Sequence, residues 1–218
     1  MYSPAEENYL KALLLLSEET GETGVNELSK RLAIKMPTVN SMIKRLAEKK
    51  LVHYESYQPL QLTAKGKIEA ALILRKHRLT EMYLVEKMGF GWEEVHEIAE
   101  QVEHIQSPRF FEKMDEILNH PTIDPHGSPI PDTEGKISWT RYEKLSDCSN
   151  GAVVTFVAVT NSVADFLLYL NDKDLKLGTK LTIKAIESYD KSMIVSYIGH
   201  PSETLSSIVC EKMLVSGS

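Results

Sequence analysis

The sequence predicts a mainly α-helical protein with a β-rich C-terminal domain, and three observations carry this prediction. Apolar residues recur at helical spacing through most of the first half of the chain. A connector rich in proline and glycine, HPTIDPHGSPIPD, then breaks the periodicity. Runs rich in β-branched residues, such as GAVVTFVAV, follow it. Because 218 residues suffice for two or three small cores, we expect domains at residues 1–63, 64–140 and 141–218.

Composition excludes several classes of protein. The longest apolar run, ALLLL, is far shorter than the roughly 18 residues of a membrane-spanning helix. The first residues, MYSPAEE, are acidic where a signal peptide is basic, so we expect a cytoplasmic protein without a membrane partner. Cys148 and Cys210 are too few for a disulfide framework. They could pair or bind metal, but isolated cysteines are more often packing residues.

Charge is distributed unevenly along the chain. The whole protein carries a formal net charge of −6, yet residues 23–67 contain nine basic and three acidic side chains. That segment is therefore +6 and the remainder −12. A basic block on an acidic protein is typical of a polyanion partner, although a charge cluster alone is usually a solvated face.

The first domain begins with an amphipathic helix from Glu6 to Ser17, which the sequence GETG ends. VNELSKRLAI predicts a short second helix. MPTVNSMIKRLAEKK predicts a third, with Pro37 suited to its first turn. The connecting AIKM has the length of a helix-turn-helix corner. LVHYESYQPLQLT then predicts two short strands around a turn at Gln58–Pro59.

The third helix has the pattern of a recognition helix. Val39, Met42, Ile43 and Leu46 repeat at helical spacing and would pack inward. The candidate DNA-binding residues face outward or lie just before the helix: Lys35, Thr38, Asn40, Ser41, Lys44 and Arg45. Hydroxyls and an amide near a helix N-terminus, with basic residues one turn later, suit base edges and phosphates. An ordinary exposed helix is the alternative, but the hairpin that follows completes the order of a winged helix and favours DNA binding.

The second domain is predicted to be helical and the third to be a small β-barrel. Thr63 can cap a long helix from Ala64 to about Lys87, which Gly89 ends. A second helix is expected over Trp92–Gln106, and Ser107–Pro108 opens a third. In the third domain, GAVVTFVAV, KLTIKAIESYD and SMIVSYIG predict strands, and NSVADFLLYLNDKDL predicts one helical insert.

The stretch HEIAEQVEH indicates a metal site. At 100° per residue, its potential ligands fall within an arc of about 100° beside an apolar stripe: His96, Glu100, Glu103 and His104. The preceding helix adds His77 and Glu81, one turn apart. Imidazole and carboxylate together suit Mn, Fe, Co, Ni or Zn, while the absence of thiolate disfavours structural zinc. A polar helix face is the alternative, but clustered carboxylates repel one another without a cation, which favours metal.

Several motifs, in order, resemble the diphtheria-toxin-repressor/manganese-transport-regulator family of metal-dependent DNA-binding repressors. They are RKHRLTE, WEEVHEIAEQVEHI, NHPTIDPHGSPIP and PTVNSMIKRL. The resemblance implies a winged helix-turn-helix, a helical metal-binding and dimerisation domain, and a C-terminal barrel of Src-homology-3-like or FeoA-like type. It further implies a homodimer that binds palindromic double-stranded operator DNA when loaded with metal, controls metal-uptake genes and is not an enzyme.

The same resemblance implies two metal sites per subunit. The primary, activating site matches Asn8, Glu100, Glu103 and His104, and the ancillary site matches His77, Glu81 and His96. Asn161 or Asp165 is the candidate ligand from the barrel. Glutamate at position 100, where iron-responsive members have cysteine, favours Mn(II), with Fe(II) as the alternative. Manganese-type members carry acidic residues where this chain has Asn8 and Lys11, and a lysine cannot be a ligand, so a closely coupled two-metal centre is not expected.

Spacing on the helix supports two separate sites, because His96 and His104 lie two turns, or about 12 Å, apart. Two other functions remain open from the residues alone. One is a metalloenzyme of hydrolase type, since His/Glu clusters also build such sites. The other is a winged-helix protein that binds DNA without regulation by metal.

Overall fold

The computed structural model describes residues 2–56 and 58–217. Contacts divide the chain into two compact units. Unit 1 comprises Met1–Thr80, Ala99–His120 and Ile130–Ser138, and unit 2 comprises Glu81–Ile98, Pro121–Pro129 and Trp139–Ser218. Each unit has a hydrophobic core of its own. The three-domain boundaries proposed from the sequence stay a prediction.

The N-terminal helix, α1, spans Pro4–Thr20 and starts at a capping box. The Ser3 hydroxyl accepts a hydrogen bond from the Glu6 backbone N–H at 3.3 Å, and the Glu6 carboxylate accepts one from the Ser3 N–H at 3.0 Å. These reciprocal bonds satisfy N–H groups that a helix start leaves unpaired. Gly21, at φ 76°, ends the helix in a conformation that suits glycine. The predicted first helix is therefore confirmed, with slightly wider bounds.

The helix-turn-helix consists of α2 (Val25–Leu32) and α3 (Met36–Glu48). Ala33 adopts the left-handed conformation at φ 52°, which ends α2 and turns the chain. Val39, Ile43 and Leu46 are fully buried beneath α3, as the apolar spacing predicts. The core of unit 1 forms where these residues meet α1 and the start of α4.

A two-stranded hairpin completes the winged helix. Strands β1 (Val52–His53) and β2 (Gln61–Leu62) pair antiparallel, with Val52 opposite Leu62. The Gln58 N–H donates to the Glu55 carbonyl at 3.2 Å. This bond forms a turn next to the predicted position at Gln58–Pro59. Tyr57 lies outside the described residues. The order of helices and strands confirms the predicted winged helix.

Three helices follow the wing: α4 (Ala64–Met88), α5 (Val95–Val102) and α6 (Pro108–Ile117). The α5 helix is shorter than the expected Trp92–Gln106. At its start, the Gly91 N–H donates to the Glu94 carboxylate at 2.8 Å, which stabilises a turn instead of a helix. At its end, the helix stops at Val102, and residues 103 and 104 form a turn. None of the helices among the described residues is both long and apolar enough to span a membrane.

The C-terminal part is a six-stranded antiparallel sheet with two short helices, α7 (Ala164–Asp172) and α8 (Ser207–Cys210). The strands are β3 (Glu143–Lys144), β4 (Val153–Val159), β5 (Lys180–Ile186), β6 (Met193–Tyr197), β7 (His200–Leu205) and β8 (Met213–Gly217). Their order is β3-β8-β4-β5-β6-β7. The sheet is open and not the closed barrel expected. Its edge strand β3 has two residues, too few to close a ladder with β7.

Both cysteines lie in the core of this sheet. Cys148 and Cys210 are free and buried. Burial raises the pKa of the Cys148 thiol to about 11 and that of Cys210 to about 12. They are packing residues, because a metal ligand or a reactive thiol needs the thiolate form.

Candidate functional site

A partly buried cluster in unit 1 contains three of the predicted primary-site residues, Glu100, Glu103 and His104. Helix α1 contributes Glu7 and Lys11, and the end of α5 with the turn after it contributes Glu100, Glu103 and His104. Glu103 is fully buried and receives a hydrogen bond from His77 Nδ1 at 2.7 Å. The structure thus places Glu100, Glu103 and His104 beside helix α1, through contacts with Lys11 and Glu7.

Glu103 is an ionised carboxylate in this environment. Burial alone would raise its pKa, but the hydrogen bond from His77 and the charge of Lys11 outweigh that effect and hold the pKa of Glu103 below its ordinary value. An ionised, buried carboxylate needs a positive partner or several hydrogen bonds. Glu103 is therefore in the protonation state that a metal ligand requires.

His104 is oriented by a residue that the sequence did not single out. Its Nδ1 donates to the Glu7 carboxylate at 2.6 Å, and Glu7 also accepts a hydrogen bond from Gln106 at 3.0 Å. In the neutral imidazole with its proton on Nδ1, the lone pair is on Nε2, and this atom lies 3.8 Å from Glu103 Oε1. A carboxylate behind a ligating histidine is the common arrangement in metal sites. The sequence contained one indication of this role, because Glu7 directly precedes the predicted ligand Asn8.

Asn8 carries an unpaired acceptor. Its side-chain oxygen Oδ1 is buried and has no hydrogen-bond partner. Buried polar atoms in native proteins are nearly always paired, so such an atom calls for an explanation, and a bound ion is one. A cation held by the amide oxygen of Asn8 would satisfy this acceptor.

Lys11 occupies the space between the two predicted carboxylate ligands. Its Nζ donates to Glu100 Oε1 at 2.5 Å and to the two oxygens of Glu103 at 2.8 and 2.7 Å. The same atom lies 3.4 Å from His77 Nδ1. The sequence marked Lys11 only as a departure from the family pattern. The structure shows that it contacts the site directly.

A second group of potential ligands lies in unit 2 and is entirely buried. Atoms of Glu81, Asp124 and His126 lie within 4.8 Å of one another. His126 Nδ1 lies 3.7 Å from Glu81 Oε2, and His96 Nδ1 lies 3.3 Å from Glu81 Oε1. Glu81 was predicted as a ligand, as was His96, whereas Asp124 and His126 were not. The sequence indication for them is an aspartate and a histidine two residues apart, in a loop that the sequence analysis interprets only as a connector.

Electrostatics within this second group favour a cation. Burial alone would lower the pKa of His126, but the hydrogen bond with Glu81 and the charges of Glu81 and Asp124 outweigh it, so the pKa is raised. Two buried carboxylates thus attract positive charge to this position. The His126 Nε2–H donates to the Trp92 carbonyl at 2.8 Å, which leaves Nδ1 directed toward Glu81.

The loop that carries Asp124 and His126 is held by backbone bonds. Asp124 Oδ1 accepts from the N–H groups of His126 and Ser128, each at 2.9 Å. The Val159 N–H of β4 donates to the His126 carbonyl at 3.0 Å. Gly127, at φ +86°, lies so close to β4 that an added Cβ would meet the Val157 carbonyl at 2.2 Å. Only glycine fits there.

The ligand candidates from the C-terminal domain, Asn161 and Asp165, lie on the surface. Asn161 and Asp165 are exposed, and Asp165 belongs to no ligand group among residues 2–56 and 58–217. The involvement of either in metal binding stays a prediction. His77 bonds to Glu103, as described above.

The predicted DNA-binding residues lie along α3 and just before it. Lys35, Thr38, Ser41, Lys44 and Arg45 are exposed, and Asn40 is half-buried. Arg45 Nε lies 3.4 Å from Glu6 Oε1, and Lys49 Nζ donates to the same oxygen at 2.6 Å. Arg45 is thus partly engaged within the protein, whereas Lys44 projects into solvent.

Fold and site together define a winged-helix DNA-binding protein with buried groups of metal-ligand residues. Comparison with known proteins shows the family. Residues 1–60 match the family described as "Iron dependent repressor, N-terminal DNA binding domain". Residues 63–132 match "Iron dependent repressor, metal binding and dimerisation domain".

Individual relatives agree with this assignment. The chain is 30% identical to the iron-dependent repressor IdeR of Mycobacterium leprae over 215 residues, 91% of each chain. It is 33% identical to the diphtheria toxin repressor of Corynebacterium diphtheriae, over 81% of this chain and 83% of that one. A solved structure titled a manganese-dependent transcriptional repressor in complex with manganese aligns with a TM-score of 0.88 at 27% identity, covering 98% of this chain and all of the other.

The chain belongs to the diphtheria-toxin-repressor/manganese-transport-regulator family, which confirms the resemblance seen in the sequence. It is a metal-dependent transcriptional repressor and not an enzyme. The metalloenzyme hypothesis is thereby set aside. The hypothesis of a winged-helix protein that binds DNA without regulation by metal is also set aside.

Proposed function

We propose that Mn(II) is the activating ion and that Asn8, Glu100, Glu103 and His104 hold it. The observation that carries this proposal is the buried, unpartnered Oδ1 of Asn8, on the helix that also places Glu7 against His104. An ion bound there would supply positive charge shared between helix α1 and the α5 region. Through its ligands, α1 would hold the winged helix in the orientation that binds DNA.

The donor set supports manganese over iron. Carboxylate and amide oxygens are hard donors that suit Mn(II), and no sulfur ligand is among the candidates. Both cysteines are buried in the core of the C-terminal sheet. Fe(II) is the alternative ion, because one relative is named as an iron-dependent repressor. A structural neighbour is named as a manganese-dependent repressor, which supports Mn(II).

A second ion per subunit is proposed at Glu81, Asp124 and His126, with His96 next to Glu81. Burial of all three residues and their 4.8 Å proximity support it. The set expected from the sequence, His77, Glu81 and His96, is the alternative at this position. Both sets include Glu81, so its removal would affect either.

The DNA partner is proposed to be a palindromic operator, read by two copies of α3 related by the two-fold axis of a homodimer. The repressor would act in the cytoplasm on genes for metal uptake, so that abundant metal shuts off its own import. Since metal favours the DNA-binding form, linkage requires that DNA also tightens metal binding by the same factor.

Operator binding across a metal series tests the proposal. DNA affinity would be measured with chelator, with Mn(II), and with Fe(II) under anaerobic conditions. We expect affinity in Mn(II) to exceed that with chelator and to equal or exceed that in Fe(II). Equal affinity with and without chelator would overturn the proposal, and a clear preference for Fe(II) would overturn the choice of metal.

A further inference from the structure

The ammonium group of Lys11 is buried inside the proposed primary centre. Its side chain is 9% exposed, and that of Glu103 is not exposed at all. The group makes hydrogen bonds of 2.5 to 2.8 Å to one oxygen of Glu100 and both oxygens of Glu103. An ammonium has three donors, and these three acceptors account for all of them.

Such a position is stable only because the charges match. A buried ammonium without a partner would lose much of its solvation energy, and two neighbouring carboxylates, one of them fully buried, would repel each other without a cation. Lys11 neutralises one of the two carboxylate charges and leaves a net charge of −1 at this point. The cluster therefore does not need a metal ion to satisfy both Glu100 and Glu103.

The position also connects two parts of unit 1. Lys11 belongs to α1, which packs in the core of the winged helix, whereas Glu100 and Glu103 lie on α5 and just after it. The lysine thus makes the same connection between α1 and α5 that the proposed activating ion would make through Asn8 and His104.

We infer that Lys11 is a resident cation of this centre: its ammonium takes the place between Glu100, Glu103 and His77 that a second metal ion would otherwise occupy. The centre accordingly binds a single divalent ion, on the side of Asn8 and His104. In the metal-free protein Lys11 keeps α1 attached to the α5 region. This inference rests on the proposed use of Glu100 and Glu103 as ligands.

Removing the charge tests the inference. Lys11→Met keeps much of the volume and removes the ammonium, so that another cation can take its place beside Glu100, Glu103 and His77. After equilibrium dialysis against Mn(II), elemental analysis should find one more ion per subunit in Lys11→Met than in the wild type. In chelator, the same variant should have a lower Tm, because Glu100 and Glu103 lose their cation, and adding Mn(II) should restore it.

Two further variants make the result decisive. Lys11→Gln covers the case in which Lys11→Met fails to fold, since an amide can still donate hydrogen bonds without carrying charge. Lys113→Met is the control, because it removes an exposed lysine that pairs with Glu116 on α6. We expect Lys113→Met to match the wild type in both Mn(II) count and Tm.

An unchanged Mn(II) count in both Lys11 variants would overturn the inference, even if their Tm fell, because Lys11 would then be an ordinary structural ion pair. Failure of the proposed function has a different signature. There, the wild type itself would bind operator DNA equally well with Mn(II) and with chelator.

Discussion

Glu7 and His104 are joined by a 2.6 Å hydrogen bond between a glutamate of α1 and the last of the proposed primary ligands. The bond fixes the tautomer of His104 and leaves Nε2 as the atom that can bind metal. It also makes the metal affinity of His104 depend on a residue of the winged helix.

Glu7→Gln should weaken Mn(II) binding by about 10- to 100-fold, the usual cost of losing the partner of a ligating histidine. An amide can accept only a weaker hydrogen bond from Nδ1, so the imidazole becomes a poorer donor. Calorimetric titration of Mn(II) measures the effect, and Glu7→Asp should recover part of the affinity. Glu18→Gln, on the exposed side of the same helix, is the control. An affinity equal to that of the wild type would show that Glu7 only packs against His104.

Glu100→Ala should abolish metal-dependent operator binding and leave a folded dimer. Glu100 is partly exposed and belongs to the cluster around Lys11, while the core depends on buried apolar residues. Glu100→Cys should shift preference toward Fe(II), Co(II) or Zn(II), because a thiolate is a softer donor. Operator binding across a metal series compares both variants with the wild type. A full response of Glu100→Ala to Mn(II) would remove Glu100 from the ligand set.

His126→Ala should remove one bound ion per subunit and reduce the rise in Tm that Mn(II) causes. A ligand that binds only the native state stabilises it by mass action, so losing the site loses that stabilisation. Thermal melts at several Mn(II) concentrations, with elemental analysis, measure both effects. His120→Ala is the control, since His120 is largely exposed and bonds to Asp115. If His126→Ala and His120→Ala give the same count, no ion is bound at His126.

Lys44→Ala should weaken specific and non-specific DNA binding by similar factors. Lys44 is exposed on α3, and a phosphate contact carries no sequence information. The plot of log affinity against log salt concentration has a negative slope, and the magnitude of this slope should decrease by about one. Fluorescence anisotropy with operator and random duplexes over a range of salt concentrations measures this. A loss confined to the operator would place Lys44 at a base edge instead.

Glu6→Gln should lower Tm near neutral pH, and the difference from the wild type should shrink in acid. Burial alone would raise the pKa of Glu6, but Lys49, the Ser3 N–H and Arg45 hold it below its ordinary value of 4.5. A carboxyl with a lowered folded-state pKa stabilises the protein above its unfolded pKa, and this contribution is lost as pH falls through the folded-state pKa. Melts of both proteins from neutral pH downward check this, with Glu18→Gln as control. A difference independent of pH would mean that Glu6 acts only as a helix cap.

Periodicity predicted the parts of the site that lie on helices. Because α5 is amphipathic, the position of Glu100 beside an apolar stripe could be calculated from the sequence, whereas Glu103 and His104 lie in the turn just after the helix. The inward and outward faces of α3 followed in the same way, and Val39, Ile43 and Leu46 are buried as expected.

Loops and long-range charge pairs could not be predicted in this way. Asp124 and His126 come together through backbone hydrogen bonds and a positive φ at Gly127, and no periodicity describes those. Lys11 meets Glu103 across 92 positions of sequence, and a charged residue beside an apolar run is normally expected to face solvent. The open sheet depends on the length of β3, which propensity does not determine.

The close approach of Gly127 to β4 restricts the loop that carries two ligands of the proposed second centre. Asp124 and His126 are attached to a loop that cannot move toward β4, because the Val157 carbonyl and Ala158 already fill that space. Nor can it move away without breaking the bond from the Val159 N–H. These contacts fix the positions of Asp124 and His126 relative to β4, whereas the third residue of the group, Glu81, lies on α4 and is not held by them. In the proposed second centre, an ion whose radius suits these fixed donors would therefore bind in preference to one that requires the loop to move.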